Sequence, residues 1–259
     1  MKSQLKYLFC RDLKKTLSPR AVSIWGCMSA ICVFFFFTSS GRHDLIENGN
    51  VDFMTLMLPQ IIFGAWAVLS VYFNLVSADR EHNMLDCILC SGVKKNQIFL
   101  SKVLTSMMVS LVLSMIYLLP ITAVIISVSG QASYFTLFLK YFLPLWGYIM
   151  VFASLGLTIS IIARSSKTAM IWSLASGLIL MPRFFIIIVD GIGSIFNWAQ
   201  ATKDTVSMIS PGILMEALSD FLNITRLTNA VVGFSACIIV FLSIAFIVFR
   251  KQDELNYGE

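Results

Sequence analysis

Charge is scarce in this sequence. Only 13 % of its 259 residues are Asp, Glu, Lys or Arg, against about 25 % in an ordinary soluble domain. Too few charges are present to build a water-facing surface, so lipid must supply the outer solvent. Histidine is nearly absent as well. His43 and His82 are the only two, and both fall outside the long apolar runs. That leaves no HExxH zinc site, no carboxylate pair and no buried Ser–His dyad, so neither a catalytic residue nor a metal site is expected. A GxxxxGK[ST] loop to cradle phosphates is also missing, so the chain is expected to bind no ATP and no other cofactor itself. Six cysteines occur. Cys27, Cys32 and Cys237 sit in apolar runs, where cysteine behaves as a small hydrophobe. Cys87-Ile-Leu-Cys90 has the CxxC spacing, without the second pair or thioredoxin-like context that would mark a metal or redox site.

Long apolar runs are abundant. Apolar residues make up 58 % of the chain, with a mean hydropathy of +0.83. A spanning helix needs about 20 mostly apolar residues, and six segments qualify: 21–39, 54–78, 103–128, 135–163, 168–189 and 227–249. The expected fold is all-α, one polytopic membrane domain over 1–259 with six transmembrane helices. No Asp or Glu lies inside any of the six runs. A secondary transporter or channel would place midplane carboxylates or broken helices around its ion site, so that alternative is disfavoured.

Basic residues set the expected orientation. The leader 1–20 carries Lys2, Lys6, Arg11, Lys14, Lys15 and Arg20 and lacks the short apolar core of a cleavable signal peptide. Leu5, Leu8, Phe9, Leu13 and Leu17 recur there at helical spacing, as in an amphipathic helix held on the membrane surface by anionic lipid. A disordered basic leader that only sets topology is the other reading. With both termini on the cytoplasmic side, fourteen of the nineteen basic residues fall inside, as the positive-inside rule requires. They follow the membrane rule, so no nucleic-acid partner is expected.

That orientation places the densest charged stretch, 79–97, in the cytoplasm between the second and third runs. Met84, Leu85, Ile88 and Leu89 form two i, i+4 pairs on one side of a short helix. Gly92 is suited to end that helix in the left-handed conformation. Lys94 and Lys95 follow, and Asn96 is expected to cap the next helix. Too short for an enzyme domain, the hairpin is long enough to dock a partner.

Here the chain resembles the permease subunits of type-2 ABC exporters. The resemblance is carried by Asp79-Arg80-Glu81, Met84-Leu85-Asp86, Ile88-Leu89, Val93-Lys94-Lys95 and Lys102. His82-Asn83 stands where a small flexible pair is more usual, and Gly92 where proline is common. The basic leader, the six runs, the short connection between the third and fourth of them, the basic tail Arg250-Lys251 and "ISPGILMEALSDFL" extend the likeness over the chain.

The resemblance implies that Asp79, Arg80, Glu81, Met84, Leu85, Asp86, Ile88, Leu89 and Lys94 form a coupling helix seated in a groove of a separate cytoplasmic ABC ATPase. Two ATPase copies would carry the ATP and Mg2+. A second permease subunit would complete the path, as a homodimer or a heterodimer, in the cell (inner) membrane. Family cargoes include peptides, drugs and lipid-like molecules, so an amphipathic substrate is expected, with peptide favoured. An assembly subunit like the haem-exporter B protein of cytochrome c maturation is the alternative within the family.

Between the fifth and sixth runs, 190–226 is the longest connection. Ser210 is placed to cap a helix with Pro211 at its first position. Ile213, Leu214, Ala217, Leu218, Phe221 and Leu222 would form one face, with Glu216, Ser219 and Asp220 on the other. By resemblance this is a short outer helix closing the mouth of the path, with Ser210, Pro211, Glu216 and Leu218 at the gate. An interfacial helix without a gating role is the other reading. Lys140 and Arg183 are the charges expected within the bilayer. Such charges are functional candidates, although both lie in the outer part, where long side chains snorkel to the interface.

Overall fold

The computed structural model describes residues 2–38, 53–129, 135–207, 210–219 and 224–251. Every regular element among them is a helix. In hydrocarbon each backbone N–H and C=O must be satisfied within the segment, and helices achieve this. Among the described residues, five helical segments are long and apolar enough to cross a membrane: Pro19–Thr38, Leu56–Glu81, Lys95–Ser129, Tyr141–Ile162 and Ala230–Lys251.

In chain order, α1 is Lys2–Thr16 and α2 is Pro19–Thr38. The second crossing is composite. It comprises α3 (Phe53–Pro59), a π-helical turn (Gln60–Gly64), α4 (Ala65–Tyr72) and, after a turn, α5 (Ser77–Glu81). α6 is Met84–Cys90. α7 (Lys95–Ser129) has 35 residues, about 52 Å of helix against a hydrocarbon core of about 30 Å. α8 is Phe135–Ile162.

The expected fifth span is broken. α9 (Ser166–Ile179) and α10 (Pro182–Ile195) are bent by 71° at Leu180–Met181. Proline tolerates the first position of a helix and does not continue one, so Pro182 starts a new axis within an unbroken apolar run. α10 runs on through Asp190, and α13 (Ile224–Lys251) already contains Arg226. The connection expected at 190–226 is therefore shorter, and it carries two helices, α11 (Gln200–Ser207) and α12 (Pro211–Ser219).

α8 is the central post. It packs against α4, α7, α9, α12 and α13, and 78 % of its apolar window is buried, against 11 % for α13. α1 leans on α7 with Leu8, Asp12 and Thr16 buried. These three stand four residues apart, so one helical face meets protein, where the helical spacing of the leader suggested a membrane surface. α13 returns to the hairpin end, where its Phe249 ring lies 6.1 Å from that of Phe99 in α7.

Carbonyls on either side of the proline of the second crossing are served by neighbouring helices. The Leu56 carbonyl accepts from the Tyr117 hydroxyl at 2.8 Å and from Cys32 Sγ at 3.1 Å. The Gln60 carbonyl accepts from the Tyr148 hydroxyl at 3.1 Å.

Candidate functional site

The hairpin 79–97 is built from the end of the second crossing. Before it, the helix breaks at Phe73–Val76 and restarts at Ser77. The fourth span repairs the break. Ser160 Oγ accepts from the backbone N–H of Val76 at 2.8 Å and of Ser77 at 3.0 Å. The Lys102 ammonium donates to the Leu75 carbonyl at 2.9 Å.

From this point three consecutive residues reach in three directions. Asp79 turns inward. Its Oδ2 lies 2.6 Å from Lys102 Nζ and 2.9 Å from Arg11 Nη2, and its Oδ1 2.9 Å from Lys15 Nζ. Asp12 completes the cluster, 3.0 Å from Lys102 Nζ and 2.7 Å from Arg11 Nη2. Asp12, Asp79 and Lys102 are at most 2 % exposed. Charges so buried persist only when paired and hydrogen-bonded. Burial alone would depress the Arg11 guanidinium, but the Asp12 and Asp79 carboxylates outweigh it and hold its pKa above the ordinary value.

Arg80 reaches the fourth span. Its guanidinium donates to the Ala163 carbonyl at 2.9 Å and the Ile161 carbonyl at 3.1 Å. A cation there satisfies open carbonyls at a helix C-terminus. Glu81 reaches the next helix, accepting from the Ser166 backbone N–H at 3.1 Å. A carboxylate at the first turn of α9 is the complementary arrangement. Asp79, Arg80 and Glu81 thus clamp the hairpin to α1, α7, α8 and α9.

The rest of the hairpin divides by exposure. Asn83 takes a left-handed backbone, φ 53°, and Gly92 does so at φ 81°. Asparagine and glycine adopt this region most readily, so the two ends of α6 turn where His82-Asn83 and Gly92 stand. Leu85, Ile88 and Leu89 are half-buried against the core of the helical bundle. Met84, Asp86, Cys87 and Cys90 face outward, with Lys94 exposed beyond them. The stripe expected to meet a partner is therefore split: Met84 is free, while Leu85, Ile88 and Leu89 brace the helix. Asn96 does not cap α7, which starts at Lys95. The Lys94 N–H instead meets Gln97 Oε1 at 3.4 Å.

At the opposite end, α12 starts at Pro211 as its proline suggests. Ser210 does not cap it, because its Oγ is buried without a hydrogen-bond partner among the described residues. Leu214 and Met215 are buried, and Leu214 packs beside Gly233 of α13, about 14 Å along that helix from its start. α12 is thus set among α8, α10 and α13. The side chains of Glu216 and Leu218 lie outside the described residues, as do those of Lys140 and Arg183 and the whole of Asp220, Phe221 and Leu222. Their backbones place Lys140 in the second turn of α8 and Arg183 directly after the break that opens α10.

Asp12 and Ser160 were not singled out by the sequence pattern, and Arg11 and Lys15 stood out only as part of the basic leader. Asp12 had one available signal, as the sole acidic residue in a strongly basic leader. Among the described residues no group of His, Cys, Asp or Glu could hold a metal ion.

A bundle of apolar helices with a charged hairpin pinned across one end is the build of a multi-pass membrane protein. The family profile described as ABC-2 family transporter protein matches residues 22–254, nearly the whole chain. The chain belongs to that family and is an ABC-type permease subunit. No curated protein matches it in sequence.

Proposed function

We propose that this chain is the membrane half of an ATP-driven exporter and that the 79–97 hairpin is where a separate ABC ATPase takes hold. The observation that carries this reading is the clamp. A hairpin fixed to four helices, with Met84, Asp86, Cys87 and Cys90 left outward, is suited to pass a push into the bundle. The family supports an ABC ATPase as the partner. On this reading ATP and Mg2+ sit on two ATPase copies, and a second permease, identical or not, completes the path. The bent pair α9–α10 counts as the fifth of six spans. The hairpin end is cytoplasmic and contains both termini, and the protein resides in the cell (inner) membrane. The cargo is amphipathic, with peptide favoured.

The test is co-purification with the ATPase. Met84 is 51 % exposed, so Met84→Asp leaves the bundle intact while placing a carboxylate into a dry groove without a partner. The ATPase should be lost at normal membrane levels of permease. Full retention, with unchanged ATP hydrolysis by the complex, would remove the hairpin from the coupling interface.

A further inference from the structure

The second crossing contains a polar group that nothing else in the bundle uses. Gln60 is fully buried, and among the described residues neither its Nε2 nor its Oε1 has a hydrogen-bond partner. It opens the π-helical turn Gln60–Gly64, directly after Pro59. The backbone around it is well satisfied, with Tyr117 and Cys32 serving Leu56 and Tyr148 serving Gln60 itself. Only the carboxamide is stranded. Gly64 provides the room for it: a Cβ there would fall 2.5 Å from Gln60 Oε1 and 3.0 Å from the Tyr148 ring.

A buried donor and acceptor without partners raise the free energy of the conformation that strands them. A leucine would suit this position better if the conformation were permanent. A π-turn is also a movable feature. It holds one extra residue, and shifting that residue along the helix turns the residues passed over by about 100°. The hairpin-side end of this same crossing bears Asp79, Arg80 and Glu81, the three clamping residues.

We propose that the Gln60–Gly64 turn is the hinge of the transport cycle and that Gln60 is its positioning residue. The carboxamide is stowed beside Gly64 in the conformation described here. When the hairpin moves, the turn shifts, and the carboxamide leaves the core and gains partners. Gln60 thereby keeps the described conformation from being too stable to leave. The proposal rests on the exporter reading, in which a push on the hairpin enters the bundle at the clamp that ends this crossing.

Two variants should move the protein in opposite directions. Gln60→Leu removes the stranded group and should raise the melting temperature of the purified permease by about 3 °C. The same change should slow basal ATP hydrolysis of the permease–ATPase complex in proteoliposomes by about fivefold, because the stabilised conformation must still be left. Gly64→Ala evicts the carboxamide from its space, so it should lower the melting temperature and raise basal hydrolysis. A stranded amide with no part in the cycle would give the same melting shifts and leave basal hydrolysis unchanged in both variants, and that outcome overturns the proposal. The proposal is overturned if Gln60→Leu melts at or below the wild-type temperature, or if the two variants shift either readout in the same direction. Retained ATPase co-purification in both variants separates failure of the hinge from failure of the exporter reading. The melting comparison needs no ATPase at all.

Discussion

Lys102 Nζ and Asp79 Oδ2 stand 2.6 Å apart with neither side chain more than 2 % exposed. One residue comes from seven positions into α7, the other from the end of the second crossing. Their pairing joins the hairpin to the longest helix of the bundle. Arg11, Lys15 and Asp12 join α1 to the same point, so the cluster holds three cations and two carboxylates.

That surplus orders two variants. Lys102→Met removes one cation and balances the remainder, while Asp79→Asn leaves three cations facing Asp12 alone. Removing one partner of a buried pair costs about 3–5 kcal/mol. Lys102→Met should lie near the lower figure, because Arg11 and Lys15 still serve Asp79, and Asp79→Asn should cost more. Thermal melting in detergent should show a fall of about 6–12 °C for the first and a larger fall for the second. The reverse order would contradict the account of the cluster.

Glu81→Lys acts elsewhere. It removes the acceptor for the Ser166 N–H and sets a cation at the start of α9, where a helix disfavours one. Glu81 is the last residue of the second crossing, at its exposed charged end, so membrane insertion should remain normal. ATP hydrolysis by the assembled complex should lose its response to cargo, which a comparison of stimulated and basal rates would reveal.

For α12, Leu214→Ala is the informative change. Leu214 is buried beside Gly233, and deleting such a side chain costs about 2–5 kcal/mol, depending on how far the site collapses. If α12 closes the path, the same variant should leak cargo at unchanged ATPase binding. Transport at the wild-type rate with lowered stability would reduce α12 to a packing element.

The orientation is open to direct labelling. A cysteine at position 94, in a chain lacking its native cysteines, should react with membrane-impermeant reagents only after the cells are opened. Labelling from outside would invert the topology.

How much of this was legible beforehand depended on what each signal measures. Apolar run length reports composition, so it located the helices, yet 168–189 reads as one segment even though its axis turns by 71° before Pro182. Helical spacing marked α1 as amphipathic through Leu8 and Leu13. It could not indicate that Asp12 shares the buried face, because that depends on Lys102 arriving from a distant part of the chain. The charges of Asp79, Arg80 and Glu81 identified the hairpin as special, but their direction was hidden. They read as a surface motif and serve instead as internal fastenings. Ser210 matched a capping pattern by residue type, and its hydroxyl turned out to be buried away from that role.

The cluster also imposes an order on biosynthesis. α1 leaves the ribosome first, and Asp12 meets Lys102 only after about ninety more residues have been made, roughly 5 to 20 s at ordinary elongation rates. Throughout that interval the nascent α1 has lipid headgroups as its support, and its lysines suit that surface. The later arrival of α7 then draws Asp12 and Arg11 into the protein, so closure of the cluster marks the moment when the first three crossings are threaded and correctly matched.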